Sequence, residues 1–175
     1  MSNNIIVNLV NGEVANIDRT IKEGKRDRKF YKSDIYTAVW NSPKLKGRQK
    51  EFIANQAKGW PDIDAYSAYI YKVIEHRLHA QTVFTIAGNS YRVPEFPSFA
   101  IAGQRERLYC RRSRVTPSEM RAIGRSYLKL GAENTAKGKI LLALADEVES
   151  KGLTTATDDL LKQVVETLVA AKQLI

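Results

Sequence analysis

The chain has 175 residues, 43% of them hydrophobic, with one cysteine and a net charge of +9. That size and apolar content suit one domain or two small ones with a proper core, and argue against a wholly disordered chain. The single cysteine, Cys110, excludes an internal disulfide and a cysteine-rich zinc site, and no apolar run approaches the ~20 residues that cross a bilayer.

The opening MSNNIIVNLVNGEV lacks the basic start and cleavage-type sequence of a secretory signal, so the expected setting is soluble, intracellular and cytoplasmic, without a membrane partner. Ile5–Val10 is apolar enough for a strand. Asn11-Gly12 supplies the left-handed backbone of a type I′ turn, and Glu13–Ile17 returns, which predicts an N-terminal β-hairpin. Residues 19–50 follow with a local charge of +8, interleaved with Phe30, Tyr31, Tyr36 and Trp40. Within them Ser33 caps a short helix carrying Ile35, Val39 and Trp40, and Pro43 ends it. Residues 46–58 fit a second helix, and Trp60-Pro61-Asp62 opens a third, whose Ile63, Tyr66, Ile70, Val73, Ile74 and Leu78 keep amphipathic spacing.

The pattern then turns to strands. Thr82–Ile86 and Tyr91–Val93 are β-branched or aromatic around a Gly88-Asn89 turn pair, and Phe99–Ala102 suggests a third short strand. A second basic patch, 104–114, has arginine as its only cation; residues 103–116 carry +4. Thr116-Pro117-Ser118-Glu119 is a capping box opening a helix that stops at Gly131. A second helix spans about 134–150, and Thr155 or Thr157 caps a third with Leu160, Leu161, Val164, Val165, Leu168 and Leu174 inward. The predicted fold is α+β and mostly helical: an N-terminal β-hairpin, a basic helical region, a small antiparallel sheet and a C-terminal three-helix bundle. A boundary near residue 115 divides a basic region, 1–115, from a helical region, 116–175, suited to packing or homo-oligomerisation.

The two patches are the candidate site. Lysine and arginine neutralise phosphates and release counterions, giving affinity without sequence preference. The cations placed at such a surface are Lys25, Arg26, Arg28, Lys29, Lys32, Lys44, Lys46, Arg48 and Lys50, with Arg105, Arg107, Arg111, Arg112 and Arg114. Guanidinium forks bond phosphate oxygens in pairs, and Tyr109 stands between Arg107 and Arg111 where it can stack on an unpaired base. The bland alternative for the arginines is an edge strand salt-bridged to acids of the C-terminal helices, such as Glu147 or Glu149. The three helices of 33–79 also admit a helix-turn-helix reading with Gln49 and Asn55 on the reading helix, though Pro43 and the lack of glycine in its connection count against it.

Enzyme signatures fail on inspection. Gly131–Lys139 has six residues between its glycines where a phosphate-binding loop has four, and Ile140 stands where that loop needs Ser or Thr. Asp18 with Glu23-Gly24-Lys25 has a nuclease-like ending of a kind that chance supplies in a charged chain. Glu75 and His79 share a helix face without a third metal ligand, and Cys110 has no histidine or acid partner in sequence. No catalytic residue, metal or cofactor is therefore assigned. The expectation is a non-enzymatic protein that binds DNA or RNA through two basic patches. The alternatives are an interaction module for an acidic protein surface and a nuclease-type enzyme.

Overall fold

Ile6, Val10, Val14 and Ile17 recur every three or four residues, a helical and not a strand period, and all four are buried. In the computed structural model, which describes residues 3–26, 29–45 and 63–174, they line one face of a single helix, α1 (Asn3–Lys22). The N-terminal hairpin is thus corrected to a helix. Leaving Gly12 in a helix costs about 1 kcal/mol relative to alanine. Burying four branched side chains, at roughly 1.5–3 kcal/mol each, outweighs it. The helix stops at Gly24, whose φ of +69° is left-handed, and the amide of Lys25 donates back to the Thr20 carbonyl.

The described elements continue as β1 (Lys29–Phe30), α2 (Lys32–Trp40), α3 (Ile63–Leu78), β2 (Gln81–Ile86), β3 (Asn89–Pro94), β4 (Ser98–Ala100), β5 (Arg107–Cys110), a short 3₁₀ turn (Arg112–Arg114), α4 (Pro117–Lys129), α5 (Ala132–Ser150) and α6 (Asp158–Ala170). The class is mixed α+β and mostly helical, as expected from the sequence. The helix anticipated at 46–58 lies outside the described residues. No described helix is long and apolar enough to cross a membrane.

Two compact units divide the chain, each made of two stretches: Met1–His79 with Ala100–Tyr109, and Ala80–Phe99 with Cys110–Ile175. By sequence, the first carries +6 of the net charge and the second +3. In the first unit α1, α2 and α3 pack on one another around Ile35, Val39, Tyr66, Ile70 and Ile74, all buried, and β1 lies alongside β5.

In the second unit, β2 and β3 pair antiparallel with Phe84 opposite Tyr91 and Thr82 opposite Val93. The turn is Ala87-Gly88, both left-handed (φ +50° and +82°), one residue earlier than the glycine-asparagine pair suggested. The hairpin packs on α5 and α6, and α5 also packs on α4. The capping box opens α4 as expected: the Glu119 carboxylate accepts from the Thr116 amide at 2.9 Å and from its hydroxyl at 2.8 Å. Thr157, not Thr155, caps α6, its hydroxyl accepting from the Leu160 amide. α4 and α5 meet glycine on glycine: a Cβ at Gly138 would sit 2.8 Å from the Gly124 carbonyl oxygen. Val93, Cys110, Met120, Leu141, Leu144, Leu161 and Val165 form the core.

Candidate nucleic-acid interface

The first basic patch is held by acids within its own segment and by one brought to it from α3. Asp34, in the first turn of α2, accepts from the Tyr31 amide at 2.8 Å and from the Arg26 guanidinium at 2.8 Å. Lys32, at the start of the same helix, donates to Glu75 on α3. That hydrogen bond raises the Lys32 ammonium above its usual pKa and lowers the Glu75 carboxyl below its own. Lys25 pairs with Glu23 at 2.9 Å on an exposed turn. Glu75, considered with His79 as a metal-ligand pair, thus serves as a lysine partner. Ser33, expected to cap α2, turns elsewhere: its amide and hydroxyl both donate to Glu106, at 2.7 and 2.8 Å.

Glu106 belongs to the second basic patch, and the contact is one of several that join the two. The Tyr31 hydroxyl donates to Gln104 at 2.8 Å, β1 lies alongside β5, and Phe30 stacks on Tyr109 with ring centroids 6.1 Å apart. Segments more than seventy residues apart in sequence therefore form one seam in the first unit. It brings Lys25, Arg26, Lys29 and Lys32 to the same region as Arg105 and Arg107. Lys25, Arg105 and Arg107 are exposed and Lys29 is half-buried. Lys44, exposed, follows α2.

The second patch is divided between the units. Tyr109, on β5, is only 3% exposed, and burial pushes its phenol up. Its ring packs on Phe30, so the expectation of a base-stacking tyrosine is corrected to a core residue. Arg111, in the second unit, donates to Glu95 at 3.0 Å and lies over the Phe96 ring, 5.0 Å from its centroid. Arg112 is 6% exposed; its guanidinium donates to Thr82 at 3.1 Å, to the Pro94 carbonyl at 3.2 Å and to Asp158. Burial pulls its pKa down, and Asp158 pulls it back up. It is a clamp between the hairpin and α6 and not an available phosphate ligand. Arg114 is half-buried in the 3₁₀ turn.

An exposed ion pair is worth about 0–1 kcal/mol, so Lys25 can exchange Glu23 for another anion at little cost. Arg112 cannot leave its pocket without stranding the buried Pro94 carbonyl. The pairing anticipated with acids of the C-terminal helices is met at Asp158, on α6, and not at Glu147 or Glu149, while Arg111 pairs with Glu95; Glu149 pairs with Arg121, as does Asp146. Arg28, Lys46, Arg48 and Lys50, together with Gln49 and Asn55 of the helix-turn-helix reading, lie outside the described residues. The sequence pointed to none of the acid partners across the fold, because charge counting along a chain does not see residues that meet only after folding. Asp34 was the exception in principle, standing three residues into a helix beside its cap.

Alongside this seam, the first unit stacks Tyr36 on Tyr71 with ring centroids 4.4 Å apart and planes 3° apart, and Trp40 lies 5.6 Å from Tyr36. Ser67 donates to the Tyr36 hydroxyl at 2.8 Å. These rings hold α2 to α3, which is packing and explains why aromatics accompany the cations in sequence. No family model, curated protein or solved structure matches the chain.

Proposed function

We propose that this chain is a non-enzymatic nucleic-acid-binding protein that contacts phosphates along the seam of the first unit. The observation that supports the reading is the convergence of residues 29–33 with residues 104–107, tied by Tyr31–Gln104 and Ser33–Glu106. It gathers Lys25, Lys29, Arg105 and Arg107, with Lys44 after α2 as a further contact. Arg26 and Lys32 position the seam through Asp34 and Glu75. Arg112 and Tyr109 drop out of the contact set because they are buried, and Arg111 because it is held between Glu95 and the Phe96 ring.

Contacts of this kind carry affinity and little sequence information. Four or five phosphates neutralised give a slope of log K against log salt of about −4 on B-form DNA. Raising salt from 50 to 200 mM then weakens binding by about 10²–10³-fold. Anisotropy titrations with labelled duplex DNA, single-stranded DNA and RNA at those two concentrations test it. Steep salt dependence with any of the three is the expected result. Absence of binding to all three at low salt overturns the proposal, and cleavage of the probes on adding Mg²⁺ replaces it with a nuclease.

A further inference from the structure

A cavity of about 370 Å³ lies where β3 meets the first turns of α5, lined by Gln81, Ser90, Tyr91, Arg92, Lys137 and Ile140, with Ala136. It is wholly within the second unit, so nothing in it depends on the seam described above. Among the described residues two cations line it and no carboxylate does. Among the described side chains neither cation has an acid partner. Arg92 is exposed, and the contacts of Lys137 are the Asn134 side-chain oxygen at 3.4 Å and the Tyr127 ring, 6.0 Å from its centroid.

The contrast within the same unit is informative. A second cavity, of about 310 Å³, is lined by Arg111, Arg112 and Arg114, yet Glu95 and Asp158 line it as well and take two of the guanidiniums. There the charge is consumed by the fold. At Arg92 and Lys137 no described carboxylate does the same. A guanidinium with five donors and an ammonium with three, beside the Ser90 hydroxyl and the Gln81 amide, suit a multi-oxygen anion. Tyr91, Ala136 and Ile140 add apolar wall for a small organic body, and the volume falls at the lower end of small-ligand pockets.

We infer that this cavity binds a phosphate monoester, its phosphate between Arg92 and Lys137 and its organic part against Tyr91 and Ile140. The test is NMR titration of the ¹⁵N-labelled full chain with adenosine 5′-monophosphate, inorganic phosphate and adenosine. The expected result is saturable shifts at the amides of Ser90, Arg92 and Lys137 with both phosphate probes, at Kd of about 0.1–1 mM, and none with adenosine. Arg92→Gln and Lys137→Gln each weaken binding at least 5-fold and together at least 20-fold, with melting unchanged. Arg125→Gln, an exposed arginine of α4, has no effect. Competition by an oligonucleotide with internal phosphates only, which are diesters, overturns the monoester in favour of a nucleic-acid backbone; lack of competition supports the monoester. Equal response to adenosine, no saturable shift, or affinity unmoved in the double variant overturns the inference.

Discussion

Arg112→Met separates a structural arginine from a binding one. The substitution removes three hydrogen bonds from a side chain that is 7% exposed. Asp158, whose side chain is 72% exposed, returns to water at little cost, and the Thr82 hydroxyl can turn to another partner. The buried Pro94 carbonyl cannot, and a stranded acceptor costs about 1–3 kcal/mol. Losing two hydrogen bonds from a charged donor adds to this, while the methionine side chain recovers packing of the arginine stem. The net expectation is a loss of about 2–4 kcal/mol. For a protein of this size that lowers Tm by about 4–16 °C. Melting followed by far-UV circular dichroism reads the first quantity and oligonucleotide anisotropy below Tm reads the second. A Tm within 2 °C of the parent with binding weakened tenfold would instead make Arg112 a surface ligand.

Gly12→Ala tests the replacement of the expected hairpin by α1, through the sign of its effect. No atom lies within 4 Å of an added Cβ, so a helix gains about 0.5–1 kcal/mol, whereas a type I′ turn would lose stability; urea melts decide. Gly138→Ala places a Cβ 2.8 Å from both the Gly124 carbonyl oxygen and the Leu128 side chain, and α4 and α5 must separate at a cost of about 1–3 kcal/mol, seen as a lower Tm. Tyr66 is buried with no hydrogen-bond partner for its hydroxyl among the described residues, and burial pushes its pKa up to about 12. Its neutral form is thus favoured in the folded chain, so the stability it contributes is complete below about pH 10 and falls as pH rises towards 12. Tyr66→Phe should leave melting at pH 7 equal or higher and recover about 1–2 kcal/mol of the loss between pH 10 and 12; an unchanged alkaline limb would contradict this.

Local chemistry made much of the fold legible. The capping box at Thr116, the apolar stripe of α3 and the β2–β3 hairpin all rest on residues close in sequence, and each stands where its pattern puts it within a residue or two. The N-terminus misled for an equally local reason. Asn11-Gly12 is a strong turn signal, but it sits on the exposed side of a helix whose buried residues have the 3.6-residue period. The candidate site was legible only in part. Clustered lysines and arginines are visible in a sequence; Asp34, Glu75, Glu95 and Asp158, which decide whether those cations are available, are brought to them by the fold. Tyr109 illustrates the same limit. An aromatic between arginines has the pattern of a stacking platform, yet it is buried against Phe30.

On the proposed function, exposed cations of the first-unit seam contact phosphate and the buried Arg112 does not. The measurement that addresses it most directly compares the parent with the triple variant Lys25→Gln, Arg105→Gln, Arg107→Gln by anisotropy on duplex DNA across a salt series. Each lost phosphate contact lowers the slope of log K against log salt by about 0.9. The triple variant should therefore flatten it by about 2.7 and bind at least tenfold more weakly at 50 mM salt, with Tm unchanged. Binding in the triple variant with the parent's affinity and slope would contradict the account.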